Sequence, residues 1–453
     1  MIDNLGDAGV CWRLARQLAT EHGCRVTLYI DAPSVLTRLL PADAPVADLA
    51  AGRPAVVAGV SIQLWPADPD WQPALAADLL IAAFGCELPA SVRADLGRTA
   101  GHSRTAHSTT AHSTTARPTT ARPTTASPTT ASPTTASPGI AGRGRQPPLW
   151  VDLEYLSAEP WIDGANWLPS IKPSDGAVEH FVFPGFSAAS AGLLRERGLL
   201  ARRDAFRAAA DDQAWLRRHR IERPAGGLLV SLFTYDSAGL TGRLAALADG
   251  PRPLRMLVPA GVATGALTAL CGMPPAPGEQ RTTGALTLHG LPWLEQDDYD
   301  RLLWSCDLNL VRGEDSWIRA HWAGRPMAWQ PYPQADGAHL RKLDAWLARL
   351  LAGVDASLAE PVGDFLRAWA GARSSPMPAT RAVSGAARAA DPALAAAWAA
   401  FAPLLLPRHP AQRMFEEFAL SLSSRPDLAS SLLEFADRQA RPPGDAPAAV
   451  MPG

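Results

Sequence analysis

The chain has few cysteines, few charges and no long apolar run. Its five cysteines are odd in number and include no CxxC pair, so neither a disulfide framework nor a zinc site is expected. Only 19% of the 453 residues are charged and the formal net charge is -2, so no basic field is available for nucleic acid. No apolar run approaches the roughly 20 residues that span a bilayer. These absences favour a reducing compartment and argue against nucleic-acid and membrane partners.

Targeting and nucleotide-binding signatures are missing as well. Asp3 and Asp7 interrupt the N-terminus before the apolar core of a signal peptide can develop. No dinucleotide fingerprint, Walker loop or metal-ligand cluster is present. We expect a cytoplasmic protein that acts as a monomer and needs neither a metal nor a cofactor.

Short apolar runs alternate with helical patterns in two parts of the chain. Strand-like runs lie at residues 25–30, 60–65 and 79–83 of the first part, and at 227–233, 254–259, 285–289, 307–311 and 326–330 of the second. Strands that alternate with helices predict parallel α/β sheets. We therefore predict two Rossmann-like domains facing each other across a cleft, with the ligands at the carboxyl ends of the strands.

The domain limits follow from changes in composition. The first domain is predicted at 1–99 and 146–190, the second at 191–358, and a helical tail, disordered at its end, at 359–453. Between the two parts of the first domain, residues 100–145 contain five-residue units such as AHSTT, ARPTT and ASPTT. Such units have little to bury, so they predict a disordered insertion without a function of its own.

The most informative stretch is residues 306–316, CDLNLVRGEDS, which an apolar helical run follows. A strand is expected to end in a short loop that holds Arg312, Glu314, Asp315 and Ser316, and a helix opens onto this loop. Unpaired N–H groups of a helix N-terminus suit a phosphate, and a guanidinium can grip phosphate oxygens at two points. Alternatively, Asp315 and Ser316 are ordinary N-cap residues without a role in binding.

Two further groups carry potential chemistry. Asp3 and Asp7 lie four residues apart in an N-terminal stretch whose Gly6 and Gly9 would permit a tight turn into a helix, and paired carboxylates can act as bases. A capping Asp beside a solvated Asp explains the same spacing. Aromatic residues around 233–235 and 293–299 can stack on a nucleobase, while an amide binds its edge, although aromatics at strand ends usually belong to the core.

Six ordered motifs together resemble the bacterial elongation factor P arginine rhamnosyltransferases, the EarP family. They are residues 2–16 (IDNLGDAGVCWRLAR), 84–89 (FGCELP), 153–159 (LEYLSAE), 183–186 (FPGF), 306–324 (CDLNLVRGEDSWIRAHWAG) and 332–334 (YPQ). They cover the chain from residue 2 to about 350 apart from the repeats, and their order makes the set more specific than any single motif.

The resemblance implies a GT-B fold and an inverting transfer of L-rhamnose from dTDP-β-L-rhamnose to one arginine of elongation factor P. The first domain would bind the acceptor and the second the nucleotide sugar. Asp7 would be the base, with Asp3 orienting the acceptor guanidinium and Glu314 as a third carboxylate. Phe233, Gln296 and Tyr299 would hold the thymine ring, and Tyr235, Arg312, Glu314, Asp315 and Ser316 the diphosphate and sugar.

One departure from the family pattern concerns the N-terminus. The resemblance implies about ten more residues before Asp3, which form a first strand at the sheet centre, and two residues are too few for that strand. Either the start is placed too late or the chain is a weakened copy. The alternatives are thus another GT-B transferase with a small acceptor, against which the Asp3/Asp7 pair argues, and a degenerate chain that binds elongation factor P without turnover.

Overall fold

The computed structural model describes residues 4–41, 43–51, 53–65, 71–104, 131–137, 147–209, 211–372 and 389–441. They form two α/β domains, each built around its own sheet, and a set of C-terminal helices. This is the predicted architecture, two Rossmann-like domains in a GT-B-like arrangement with a helical C-terminal region. No helix in these ranges is long and apolar enough to cross a membrane.

The N-terminal domain is built on an eight-stranded sheet. Its elements in chain order are α1 Asn4–His22, β1 Arg25–Ile30, α2 Pro33–Leu36, α3 Val46–Ala50, β2 Ala55–Val57, β3 Val60–Leu64, α4 Gln72–Leu75, β4 Leu79–Ala83, α5 Ala90–Arg104, β5 Ala131–Ser137, β6 Leu149–Leu153, α6 Ile162–Ala165, β7 Pro169–Ile171 and β8 Val178–Val182. The strand order is β2-β3-β1-β5-β4-β6-β8-β7. Strands β3 and β1 run parallel, as do β4, β6 and β8, with Val26 opposite Val60 and Leu79 opposite Leu149.

Apolar periodicity explains the first helix and its strand. Val10, Leu14 and Leu18 are all buried, so one face of α1 packs on the sheet as the spacing predicted. The glycine after this helix, Gly23, has φ +66°, which lets the chain reverse into β1. Strands β1 and β4 begin and end at the predicted residues.

The prediction of a wholly disordered insertion at 100–145 is wrong in two places. Helix α5 continues to Arg104, and the repeat residues Ala131–Ser137 form β5, which lies antiparallel between β1 and β4. Threonine favours strands, and the pairing satisfies backbone groups of β1 and β4 at the sheet centre. The ladder is irregular between Leu28 and Ile30, where Pro133 lacks an N–H to donate. Residues 105–130 and 138–146 lie outside the described ranges.

Strand β5 occupies the central position for which the sequence predicted a strand preceding Asp3. It runs against the direction of its neighbours, whereas a Rossmann-like first strand runs parallel to them. The pattern of the repeats did not predict this, because their composition offers no apolar face.

The C-terminal domain is built on a six-stranded sheet. Its elements are α7 Leu199–Ala208, α8 Asp211–Arg218, β9 Leu228–Leu232, α9 Leu240–Ala248, β10 Leu254–Pro259, α10 Thr264–Cys271, β11 Gln280–Thr283, β12 Leu286–Leu291, α11 Gln296–Ser305, β13 Leu308–Arg312, α12 Asp315–Ala323, β14 Met327–Gln330 and α13 Ala338–Leu350. The order is β11-β12-β10-β9-β13-β14, and every pair except β11 with β12 is parallel. All five residues of β9 are buried, as in a sheet covered on both faces.

The C-terminal helices do not form a separate tail. They are α14 Ala356–Ala370, α15 Pro392–Phe401, a 3-10 turn at Ala402–Leu405, α16 Pro410–Ser423 and α17 Leu428–Ala440. Helix α17 returns to the N-terminal domain, where Phe435 lies 4.7 Å from the ring of Trp167 and Asp427 accepts a hydrogen bond from Gln17 at 3.0 Å. The chain therefore crosses between the domains twice, which restrains their relative placement. Residues after 441 lie outside the described ranges.

Candidate active site

The loop after β13 has the strand–loop–helix geometry that the sequence predicted. Gly313 adopts φ +56°, and α12 begins two residues later at Asp315. The N-cap residue is Glu314, whose side chain makes no capping bond, and the hydroxyl of Ser316 bonds both the N–H and the carbonyl of Arg312. The alternative that Asp315 and Ser316 are ordinary N-caps is therefore wrong. The first turn of α12 presents its N–H groups without a side-chain cap.

Aromatic rings hold the guanidinium of Arg312 above this loop. Its central carbon lies 4.9 Å from the ring of Phe233 and 4.5 Å from that of Tyr235. Phe233 in turn lies 5.3 Å from Tyr299, and Tyr235 lies edge-on to Tyr332 at 5.3 Å. The predicted aromatic residues and the predicted cation therefore form one cluster, because three parallel strands end at the same edge of the sheet.

A pocket between the two domains adjoins this cluster. It is lined from the N-terminal domain by Leu5, Gly6 and Leu39, and from the C-terminal domain by Phe233, Pro259, Trp293, Leu294, Gln296, Tyr299, Arg312, Asp315 and Ser316. The indole N–H of Trp293 donates to the carbonyl of Arg38 at 2.8 Å, and the Arg38 guanidinium lies over the indole ring at 4.0 Å. The pocket thus lies in the predicted interdomain cleft, and six of the predicted donor-binding residues line it.

Gln296 connects this pocket to the N-terminal domain. Its amide nitrogen donates to the carbonyl of Gly9 at 3.2 Å and lies 3.5 Å from Oδ2 of Asp315. Its amide oxygen is buried, and no donor of the described residues lies within hydrogen-bond distance of it. An unpaired buried acceptor in a pocket is costly, so this oxygen is suited to receive an N–H from a ligand.

Asp7 lies in the first turn of α1 rather than in a loop. The helix begins at Asn4, so the prediction of a turn built on Gly6 and Gly9 is wrong, and neither glycine has a positive φ. Gly9 instead allows α1 to approach Asp315 closely, since a Cβ at this position would lie 3.1 Å from Oδ2 of Asp315. Asp3 lies outside the described residues.

Tyr155 and Leu156 join two of the predicted carboxylates. The Tyr155 hydroxyl donates to Oδ2 of Asp7 at 3.4 Å, and the Leu156 N–H donates to Oε1 of Glu314 at 2.8 Å. Burial raises the pKa of the Tyr155 phenol, and the charges of Asp7 and Glu314 raise it further. Burial also raises the pKa of Cys11, and Asp7, Cys86 and Glu314 raise it further. Asp7 and Glu314, from opposite domains, are therefore close enough to act on the same groups.

Several groups of this site were missed at the sequence level. Tyr155 stood within a recognised motif but had no role, and Arg13 and Leu39 were not singled out, whereas Trp293 belonged to the predicted aromatic group at 293–299. A signal was available for Tyr155, because it follows a strand that ends at the same sheet edge as β4. No sequence signal distinguished Arg13, whose partners are 183 to 302 positions away along the chain.

Charges behind the pocket are buried and paired. Burial raises the pKa of Asp315, while the nearby guanidiniums of Arg13 and Arg319 act in the opposite direction. Arg13 Nε lies 2.9 Å from Asp315 Oδ1. Within the described ranges, no group of three or more His, Cys, Asp or Glu side chains is arranged to hold a metal ion.

Comparisons with known proteins agree with the geometry. The family model "Elongation-Factor P (EF-P) rhamnosyltransferase EarP" matches residues 1–104 and 134–437. Protein-arginine rhamnosyltransferase of Pseudomonas putida is 40% identical over 82% of this chain and 84% of its own length, and that of Pseudomonas aeruginosa is 38% identical over 96% of both. A solved structure on EarP-mediated arginine glycosylation of translation elongation factor EF-P superposes with a TM-score of 0.53 at 27% identity, over 96% of both chains. The chain belongs to the EarP family of glycosyltransferases.

Proposed function

We propose that this enzyme transfers L-rhamnose from dTDP-β-L-rhamnose to an arginine side chain of translation elongation factor P, with inversion at the anomeric carbon. The observation that carries the proposal is the meeting of Asp7 and Glu314 at Tyr155–Leu156, beside a pocket with one fixed cation and an uncapped helix N-terminus. A guanidinium acceptor needs anionic partners, and a nucleotide-sugar donor needs cationic ones. Asp7 would supply an anion from the N-terminal domain, and the loop before α12 would supply both the second anion, Glu314, and the cation, Arg312.

The pocket suits the base of the donor. Phe233 and Tyr299 offer aromatic faces 5.3 Å apart, and the unpaired oxygen of Gln296 is an acceptor for the imide N–H of thymine. Cytosine has no such donor at that ring position, which would favour thymine or uracil. Arg312, which stacks on Phe233 and Tyr235, would move away from these rings as the nucleotide enters.

The diphosphate would lie against the loop between β13 and α12. The N–H groups of the first helical turn point out of the loop and carry partial positive charge. Arg312 can move from its aromatic neighbours to grip phosphate oxygens at two points, and its charge would offset the charge that develops on the leaving group. Ser316 holds the loop through its bonds to the backbone of Arg312, so its role would be to keep the N–H groups in place.

The acceptor guanidinium would enter from the side of Asp7 and Glu314. A guanidinium stays protonated near neutrality and is a poor nucleophile, so carboxylates must orient it and accept its proton. In the proposed step a terminal nitrogen attacks the anomeric carbon, the bond from that carbon to the diphosphate oxygen breaks, and Asp7 takes the proton. Glu314 holds the other edge of the guanidinium, and attack opposite to the leaving group inverts the β configuration to α.

Intact-mass analysis tests the proposal. Purified elongation factor P should gain the mass of one deoxyhexose when it is incubated with the enzyme and dTDP-β-L-rhamnose. The matched control is elongation factor P in which the acceptor arginine is replaced by lysine, which should stay unmodified. Modification of a small acceptor instead would indicate a different transferase, and a stable complex without any mass change would indicate a chain that only binds the factor.

A further inference from the structure

A fully buried ion cluster lies directly behind the candidate active site. Arg13 of α1 has no exposed side-chain surface, and its guanidinium lies 3.4 Å from Glu196, 3.1 Å from Asp300 and 2.9 Å from Asp315. Arg319 of α12 lies 2.6 Å from Glu196 and 2.5 Å from Asp300. We call these five residues the Arg13 cluster. It joins α1 of the N-terminal domain, the connection between the domains, and helices α11 and α12 of the C-terminal domain.

Within the cluster, the neighbouring charges shift the pKa values of Arg319 and Glu196 towards the charged forms of both groups. Burial alone would lower the pKa of Arg319, but Asp300 and Glu196 outweigh it and raise that pKa, while Arg319 and Arg13 lower the pKa of Glu196. Asp300 accepts from both guanidiniums. The cluster has two guanidiniums and three carboxyl groups, and the partly exposed Arg16, 3.7 Å from Glu196, adds a third guanidinium at its rim.

Stability does not account well for such a cluster. Desolvation of buried charges offsets much of their attraction, and apolar side chains of similar volume often stabilise a fold at least as well. A planar guanidinium that contacts three carboxylates does, however, specify distance and angle in a way that an apolar contact cannot. The cluster is therefore better suited to fixing a geometry than to adding stability.

The geometry that Arg13 fixes is that of the reacting groups. On the donor side it contacts Asp315, the first residue of α12, and donates to the backbone carbonyl of Gln296 at 3.3 Å. On the acceptor side it lies six residues after Asp7 on the same helix, which corresponds to a rise of about 9 Å. The amide of Gln296 bonds the carbonyl of Gly9 between them. Arg13 thus links both donor-site helices to the helix that carries Asp7.

We propose that Arg13 is a positioning residue for glycosyl transfer, which aligns Asp7 on α1 with the donor held by α11 and α12. This inference rests on the proposed function. Arg13 does not line the pocket, so its loss should act on the alignment of bound substrates rather than on donor binding. Misplacement of reacting groups by about 1 Å can lower a rate on the order of 10²-fold.

Steady-state kinetics of Arg13→Met and Arg13→Lys tests this. Arg203→Met is the matched control, because Arg203 is equally buried and bonds the carbonyl of Trp322 at 2.9 Å, away from the pocket. At a temperature well below each melting point, Arg13→Met should lose kcat on the order of 10²-fold while the KM for donor changes by less than about threefold. The kcat of Arg13→Lys should lie between those of wild type and Arg13→Met, because lysine keeps the positive charge but lacks the planar guanidinium. Arg203→Met should lower the melting temperature but keep kcat within about threefold of wild type.

The outcomes separate the two proposals. A folded Arg13→Met enzyme with wild-type kcat would overturn the positioning role and leave the cluster purely structural. If Arg13→Met does not fold, Arg13→Lys decides by the same criterion. If the wild-type enzyme modifies no elongation factor P at all, the proposed function fails instead. Equal losses of kcat in the Arg13 and Arg203 variants would also overturn the inference, because burial alone would then explain the effect.

Discussion

The hydroxyl of Tyr155 donates a hydrogen bond to Oδ2 of Asp7 across 3.4 Å. The contact holds Asp7, the predicted base, at the edge of the N-terminal sheet. There the ring of Tyr155 stacks on that of Phe84 at 4.9 Å. The following N–H, of Leu156, binds Glu314 from the opposite domain. One dipeptide therefore sets the distance between two carboxylates that arise about 300 residues apart.

Tyr155→Phe should impair transfer without weakening the fold. The ring and its stacking on Phe84 remain, and only the hydrogen bond to Asp7 is lost. Asp7 then loses a group that orients it, and misplacement of reacting groups by about 1 Å can lower a rate on the order of 10²-fold, so kcat should fall about 10- to 100-fold. Stopped-time mass assays of elongation factor P give kcat, and a thermal melt gives stability. A rate equal to wild type would mean that Asp7 is oriented by other groups.

Asp7→Asn should abolish transfer and leave nucleotide binding intact. The amide keeps the shape of the side chain but loses the charge and the ability to accept a proton, and loss of a general base costs about 10²–10⁴ in rate. Asp7 is not among the residues that line the pocket, and the predicted donor contacts all come from the C-terminal domain. Calorimetry with dTDP is the discriminating measurement. A tenfold or greater loss of dTDP affinity would place Asp7 in the donor site, contrary to the proposal.

Arg312→Lys should lose on the order of 10²–10³ in rate, because an ammonium cannot reproduce the two-pronged contact with a leaving diphosphate. The substitution also removes the planar stacking between Phe233 and Tyr235. Arg223→Lys is a suitable control, since Arg223 pairs with Asp307 at 3.1 Å beside the opposite end of β13 and is 41% exposed. The control should keep nearly full activity. If Arg312→Lys has wild-type kinetics, Arg312 does not bind the diphosphate as proposed.

Much of the fold was predictable because the local sequence patterns favour the same strands and helices that tertiary packing stabilises. The runs that became β1, β4 and β10 are mostly apolar and mostly buried, and their bounds match the structure. The cluster of Phe233, Tyr235 and Arg312 was also predictable, since neighbouring parallel strands present their carboxyl ends at one edge.

Other features depend on partners that the sequence does not place. Strand β5 pairs with β1 and β4, which are distant from it in sequence, and the return of α17 to Trp167 requires the finished N-terminal sheet. The beginning of α1 at Asn4 was misjudged because glycine at position 9 indicated a turn, whereas its reason is the approach of Asp315. From the sequence, Arg13 would be assigned to the surface of an amphipathic helix. In the structure it is buried against Asp300 and Asp315.

Acid should destabilise the enzyme through His321, which lies near the end of α12. Burial lowers the pKa of His321 from 6.5 to about 3, against the opposing effect of its bond to the carbonyl of Trp317. The ring is neutral, because Nδ1 donates to that carbonyl at 2.8 Å while Nε2 accepts from the indole N–H of Trp346 at 3.0 Å. A second ring proton would point directly at the N–H of Trp346, so the folded state resists protonation.

His321→Gln should therefore lessen the loss of stability in acid. Since the folded pKa lies below the unfolded one, the contribution of His321 is complete above pH 6.5 and is lost as the pH falls towards 3. Linkage predicts that wild type loses about 2 kcal/mol more than the variant between about pH 7.5 and about pH 5, and glutamine can donate to Trp317 and accept from Trp346 without titrating. Urea unfolding at both pH values measures the difference. If the two proteins lose the same free energy of unfolding over this interval, His321 is not the group that senses acid here.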